Sequence, residues 1–208
     1  DLKRVIVALD FATENDAWQM IEFLDPNRCR VKVGNELFTR AGPAFVSRII
    51  DAGFDVFLDL KYHDIPTTVA AACSAAADLG CWMVNVHASG GRNMMSAASE
   101  CLARYQMRPQ LIAVTVLTSL DDTSVAEVGF TTGAEQLVLR LAALGQECGM
   151  DGVVCSTHEL EAIKQRCGQG FVAVTPGVRP KGSASDDQRR VATPSRAIAA
   201  GADFIVIG

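Results

Sequence analysis

Residues 56 to 69 read VFLDLKYHDIPTTV, an apolar run that ends with Asp59, Lys61 and Asp64 inside six positions. Two earlier runs also meet charge, since Lys32 interrupts VKVG and Asp10 closes VIVALD. A lysine serving as a Schiff-base nucleophile must shed its proton, which calls for an apolar pocket or a cationic neighbour. Lys61 instead stands between carboxylates, a setting suited to donating a proton or stabilising a developing negative charge. The pattern therefore fits a site that meets a carbanion or an enolate. No pyridoxal phosphate or thiamine signature accompanies it, so protein charges would take the part that an electron-sink cofactor plays elsewhere. Burying Lys32, Asp59, Lys61 and Asp64 costs several kcal/mol per ion unless function or very good pairing offsets it, and the four read as a working array. Asp10 alone reads equally well as a member of the array and as an ordinary strand-end charge that pairs with a neighbour or caps a helix.

Such an array needs strands that aim its members at one point. Short β-branched runs recur at 4–10, 29–34, 55–60, 83–88, 111–117, 151–156, 171–176 and 204–208. They are nearly continuous in hydrophobicity, as strands buried on both faces require. Segments such as DAWQMIEFL, PAFVSRIIDAG, TVAAACSAAADLG and AEQLVLRLAALGQECG separate them, with apolar residues at helical spacing. The alternation predicts parallel β/α units in one domain over residues 1–208, an α/β protein of the (β/α)8 TIM barrel class. An open doubly wound sheet is the alternative, weakened because ALDFATEND stands where a G-x-G-x-x-G would follow the first strand. In a barrel, catalytic groups gather at the C-terminal strand ends. Asp59 and Lys61, two apart, are expected on one face of the third strand, and Pro66 is expected to open the next helix. The run FIVIG leaves no residues for a helix after the eighth strand, whereas such barrels run to about 250 residues. A C-terminal helix, and residues that complete the site, are expected beyond Gly208.

With 208 residues, 49% of them hydrophobic, the chain can bury a substantial core. A net charge of -5 supplies no basic face for nucleic acid, and no apolar run is long enough for a membrane span or a signal peptide. A cytoplasmic protein is expected. The 7 scattered cysteines, without a C-x-x-C pair, read as reduced thiols in the core. Neither they nor His63, His87 and His158 show metal-ligand spacing, so no metal site is expected. The segment TPGVRPKGSASDDQRRVATP carries Arg179 and Gln188 where such barrels hold phosphate, and backbone N–H groups near Gly177 and Gly208 can join them. A solvated surface loop explains the same composition. His87 reads as an acid or base, or as a hydrogen-bonded structural histidine, and Arg189 with Arg190 as a solvated helix start.

FLDLKYHDIPTTV resembles the D-x-K-x-x-D signature of the orotidine 5'-phosphate decarboxylase family. VKVGNELF, NVHASGG, VTVLTS, DGVVCS, VTPGVRP and DDQRR are similar to blocks of the bacterial enzymes, in the same order. The resemblance implies a homodimeric barrel that converts orotidine 5'-monophosphate to UMP and carbon dioxide without metal or organic cofactor. It implies that Lys61 protonates C6, that Asp59 lies near the departing carboxylate, and that Lys32 contacts the ribose and orients Asp59. Asp64, Ile65 and Thr68 would reach into the partner's site. Asp10 would bind a ribose hydroxyl, Thr118 the pyrimidine, and Arg179 with Gln188 the phosphate end, with Pro176 and Gly208 also against the substrate. A further phosphate arginine of the family follows the position of Gly208. Barrels that act on sugar phosphates through a magnesium-bound enediolate share the D-x-K-x-x-D segment, but carry an acidic metal ligand near the position of Lys32. An interaction protein without catalysis would have no use for the charged array.

Overall fold

Valine and isoleucine dominate the apolar runs, and their branched Cβ atoms favour extended backbone packed on both faces. A computed structural model of the chain describes residues 3–179 and 192–208. Eight strands appear among them: β1 (Val5–Ala8), β2 (Arg30–Gly34), β3 (Val56–Tyr62), β4 (Met83–His87), β5 (Gln110–Val114), β6 (Gly152–Val154), β7 (Val172–Thr175) and β8 (Phe204–Ile207). Each pairs in parallel with the next, and Val5 of β1 lies opposite Ile205 of β8, which closes the barrel and removes the open-sheet alternative.

The helices α1 (Glu14–Glu22), α2 (Asn35–Asp51), α3 (Pro66–Asp78), α4 (Gly91–Leu102), α5 (Asp122–Glu127), α6 (Ala134–Glu147), α7 (Leu160–Cys167) and α8 (Pro194–Ala199) return the chain between strands. Thr13 caps α1 by accepting from the Asp16 N–H, and Pro66 begins α3, as its fixed φ and missing N–H favour. Within α2, Gly42 takes φ 70° and Pro43 starts a second helical piece, which matches the predicted helix; the piece from Asn35 was not predicted.

Alternation along the strands sorts the side chains into two sets. Val31, Val33, Leu58, Val84, Val86, Leu111 and Ala113 belong to the large core shared with the helices. Ile6, Ala8, Phe57, Met83, Ile112, Val174, Phe204 and Val206 form a separate cluster that fills the barrel. Near the strand N-termini the Arg30 guanidinium lies 4.2 Å from the Trp82 ring centre and 5.1 Å from that of Phe204. Gly152 is required where β6 meets β7, because a Cβ there would overlap the Val172 carbonyl oxygen and come within 2.6 Å of Val172 Cβ. All seven cysteines are free thiols and six are buried. Burial raises the thiols of Cys73 and Cys81 to about 12. No described helix is long and apolar enough to cross a membrane.

Candidate active site

Even-numbered β2 positions and odd-numbered β3 and β4 positions face the barrel, and toward the C-terminal mouth these positions turn polar: Lys32, Asp59 and Asn85. The Asp59 carboxylate is their meeting point. Its Oδ1 accepts from Lys61 Nζ at 2.7 Å and from Asn85 Nδ2 at 2.7 Å, while its Oδ2 lies 3.4 Å from Lys32 Nζ. Lys32 Nζ also donates to Asp10 Oδ1 at 3.1 Å. Side-chain exposure is 10% for Lys32, 13% for Asp59, 29% for Lys61 and 67% for Asp10, so the ammonium of Lys32 and the carboxylate of Asp59 form the enclosed part of a chain that opens at both ends. Glycines leave room for it: a Cβ on Gly34 would come 3.2 Å from Lys32 Nζ, and one on Gly208 would come 3.6 Å from Asp10 Oδ2.

Lys61 reaches Asp59 by a less regular path than strand alternation predicts. The β3–β4 pairing shifts register between Leu58 and Tyr62, and Lys61 takes φ 52°, the only positive value among described residues other than glycine. Its backbone N–H donates to Asn85 Oδ1 at 2.8 Å. Asn85 was not singled out from sequence, although it is the one amide side chain inside the apolar run MVNVHA.

Asp64 departs from the expectation of four buried charges. It is exposed just after β3, and its Oδ1 accepts from the Ile65 N–H at 2.6 Å instead of joining the array. The burial argument thus applies to Lys32 and Asp59, less to Lys61, and not to Asp64 in the single chain. Ile65 and Thr68 are exposed beside it, and Thr118 is exposed in the turn after β5. Pro176 and Gly177 follow β7, and the Arg179 N–H donates to the Ala192 carbonyl at 3.1 Å, bringing the two described ends of that loop together. Gln188, Arg189 and Arg190 lie outside the described residues. Beside the array, the rings of His63 and His87 lie 5.5 Å apart on the wall of an apolar cavity of about 370 Å³, with Thr115, Leu117 and Leu120. Burial holds His87 below the ordinary histidine value; His63 and the Lys61 ammonium act in the same direction, and Asp59 opposes them. Among the described residues no three His, Cys, Asp or Glu side chains converge to hold a metal ion.

A closed parallel barrel with its charged groups at the C-terminal ends of adjacent strands is the architecture of a TIM-barrel enzyme. The family model described as "Orotidine 5'-phosphate decarboxylase / HUMPS family" matches residues 3–208, and the chain belongs to that family. It is 58% identical over 207 residues to the orotidine 5'-phosphate decarboxylase of Laribacter hongkongensis, covering 100% of this chain and 85% of that protein. The Nitrosococcus oceani enzyme of the same name is 56% identical, with 99% and 88% covered. The crystal structure of orotidine 5'-phosphate decarboxylase from Lactobacillus acidophilus is similar with a TM-score of 0.88 at 38% identity, covering 99% of this chain and 90% of that one.

Proposed function

We propose that the chain decarboxylates orotidine 5'-monophosphate to UMP and carbon dioxide in pyrimidine biosynthesis, with Lys61 as the proton donor to C6. One observation carries the reading: an ammonium, Lys61 Nζ, is fixed 2.7 Å from a buried carboxylate whose other oxygen faces a second ammonium, Lys32. Loss of carbon dioxide leaves electron density in the plane of the pyrimidine at C6, where the ring π system delocalises it poorly. A positive charge already held at that point stabilises the density without reorganising as the bond breaks. The proton then passes from Lys61 Nζ to C6, and the C–C electron pair becomes the new C–H bond. Asp59 lies near the departing carboxylate and keeps both ammonium groups in place. Asp10 and Lys32 bind the ribose hydroxyls, Thr118 the pyrimidine, and Arg179 with Gln188 the phosphate end, with Pro176 and Gly208 along the substrate.

The exposed Asp64, Ile65 and Thr68 complete the site of a second copy, so the working unit is a homodimer of single-domain barrels. Ile65 is 64% exposed in the single chain, unusual for an isoleucine and consistent with a position that a partner covers. Neither nucleic acid nor membrane is a partner, no metal or organic cofactor takes part, and the protein is cytoplasmic. Lys32 favours this reading over the magnesium-bound enediolate chemistry of related barrels, because a cation-binding site would need a carboxylate in its place.

The test is loss of the orotate ultraviolet absorbance when orotidine 5'-monophosphate meets the protein in excess EDTA. Rapid turnover to UMP supports the proposal. No turnover, with activity on a keto-sugar phosphate once Mg²⁺ is restored, would assign the chain to the metal-dependent barrels.

A further inference from the structure

Asn85 is fully buried on β4, and its side-chain amide is engaged at both ends. Oδ1 accepts from the Lys61 backbone N–H at 2.8 Å, and Nδ2 donates to Asp59 Oδ1 at 2.7 Å. The partners fix this orientation, because a peptide N–H only donates and a carboxylate only accepts. Lys61 lies within the stretch between Leu58 and Tyr62 where the β3–β4 register shifts. Lys61 also holds φ 52°, a conformation that a residue with a Cβ keeps only where its surroundings over-determine it. The Asn85 amide bonds the backbone at that residue and also the carboxylate oxygen that receives Lys61 Nζ.

We propose that Asn85 is the positioning residue of the site: it replaces the missing strand pairing at Lys61 and sets the direction in which the Lys61 ammonium points. This rests on the proposed role of Lys61. Asn85 lies beneath Asp59 and Lys61 and acts through them, so its removal lowers the rate of the chemical step while leaving substrate binding largely in place. Aspartate keeps the acceptor for the Lys61 N–H but turns a second carboxylate oxygen toward Asp59, alanine offers neither bond, and leucine fills the volume without either.

The experiment compares the parent with Asn85→Ala and Asn85→Asp, reading kcat, KM and the number of UMP-binding sites by titration, so that kcat is expressed per competent site. The expected result for both variants is a fall in kcat per site of about a hundredfold or more, as a misplacement near 1 Å produces, with KM and UMP affinity within about threefold of the parent. A merely structural role would lower the number of competent sites and leave kcat per site unchanged. If Asn85→Ala fails to fold, the near-isosteric Asn85→Asp carries the test. A kcat per site within threefold of the parent in a folded variant, or a loss expressed in KM alone, overturns the inference while leaving the decarboxylase reading intact. A parent that does not decarboxylate orotidine 5'-monophosphate overturns that reading and this inference with it.

Discussion

Replacing Lys61 by alanine separates the contribution of its ammonium from that of the rest of the array. When Lys61 is truncated, Asp59 keeps Asn85 at 2.7 Å and Lys32 at 3.4 Å, so the carboxylate stays partnered and the barrel is expected to fold. What disappears is the charge proposed to meet C6. A unit charge about 4 Å from a developing negative charge contributes about 4 kcal/mol at an effective dielectric near 20. The Lys61 side chain is 29% exposed, and solvent screening trims that figure to about 3 kcal/mol, or roughly a hundredfold in rate. Loss of the proton donor adds about 10²- to 10⁴-fold. The expected fall in kcat is therefore about 10⁴- to 10⁶-fold, read from orotate absorbance at saturating substrate, with the thermal melt of the variant close to that of the parent. A folded Lys61→Ala protein whose kcat stays within tenfold of the parent would refute the reasoning.

Three further outcomes are expected. Mixing Lys61→Ala with Asp64→Ala restores turnover to about a quarter of the parent level, because half of randomly formed dimers are hybrids and each hybrid has one intact site; no recovery after subunit exchange would remove Asp64 from the partner's site. Gly152→Ala forces a Cβ against Val172 and is expected to destabilise by about 3 kcal/mol, lowering Tm by roughly 6–12 °C, and a melt within a degree of the parent contradicts the close approach of β6 and β7. Burial holds His87 below the ordinary histidine value, so as pH falls through about 6.5 the unfolded chain takes up a proton there that the folded chain resists, and stability from this residue is lost. The Tm of His87→Gln relative to the parent should accordingly rise between about pH 7.5 and about pH 5.5, and an unchanged difference would contradict that ordering.

Strand order was legible because parallel strands covered on both faces must be apolar throughout, and each of the eight predicted runs overlaps one observed strand, although β3 runs past the predicted end and β5 starts before the predicted beginning. Boundaries were less so: the run at 151–156 holds a strand only over Gly152–Val154, and that at 111–117 gives way to a loop after Val114. The first piece of α2 escaped notice because Asn35 to Arg40 is too short to display a helical period before the break at Gly42. Lys32, Asp59 and Lys61 stood out as charges in apolar runs, and the barrel brings them together. The positive φ of Lys61 and its bond to Asn85 were not legible, since they depend on a register shift between two strands. Nor was the exposure of Asp64, which follows from how the chain leaves β3 and not from its spacing to Lys61.

The most direct test of metal-free proton delivery at C6 is to run the reaction in D₂O with excess EDTA and examine the product by proton NMR. The account predicts UMP formed at catalytic rates with deuterium at C6 and the H6 signal absent. Absence of UMP under these conditions, or its formation only after a divalent cation is restored, would contradict the account.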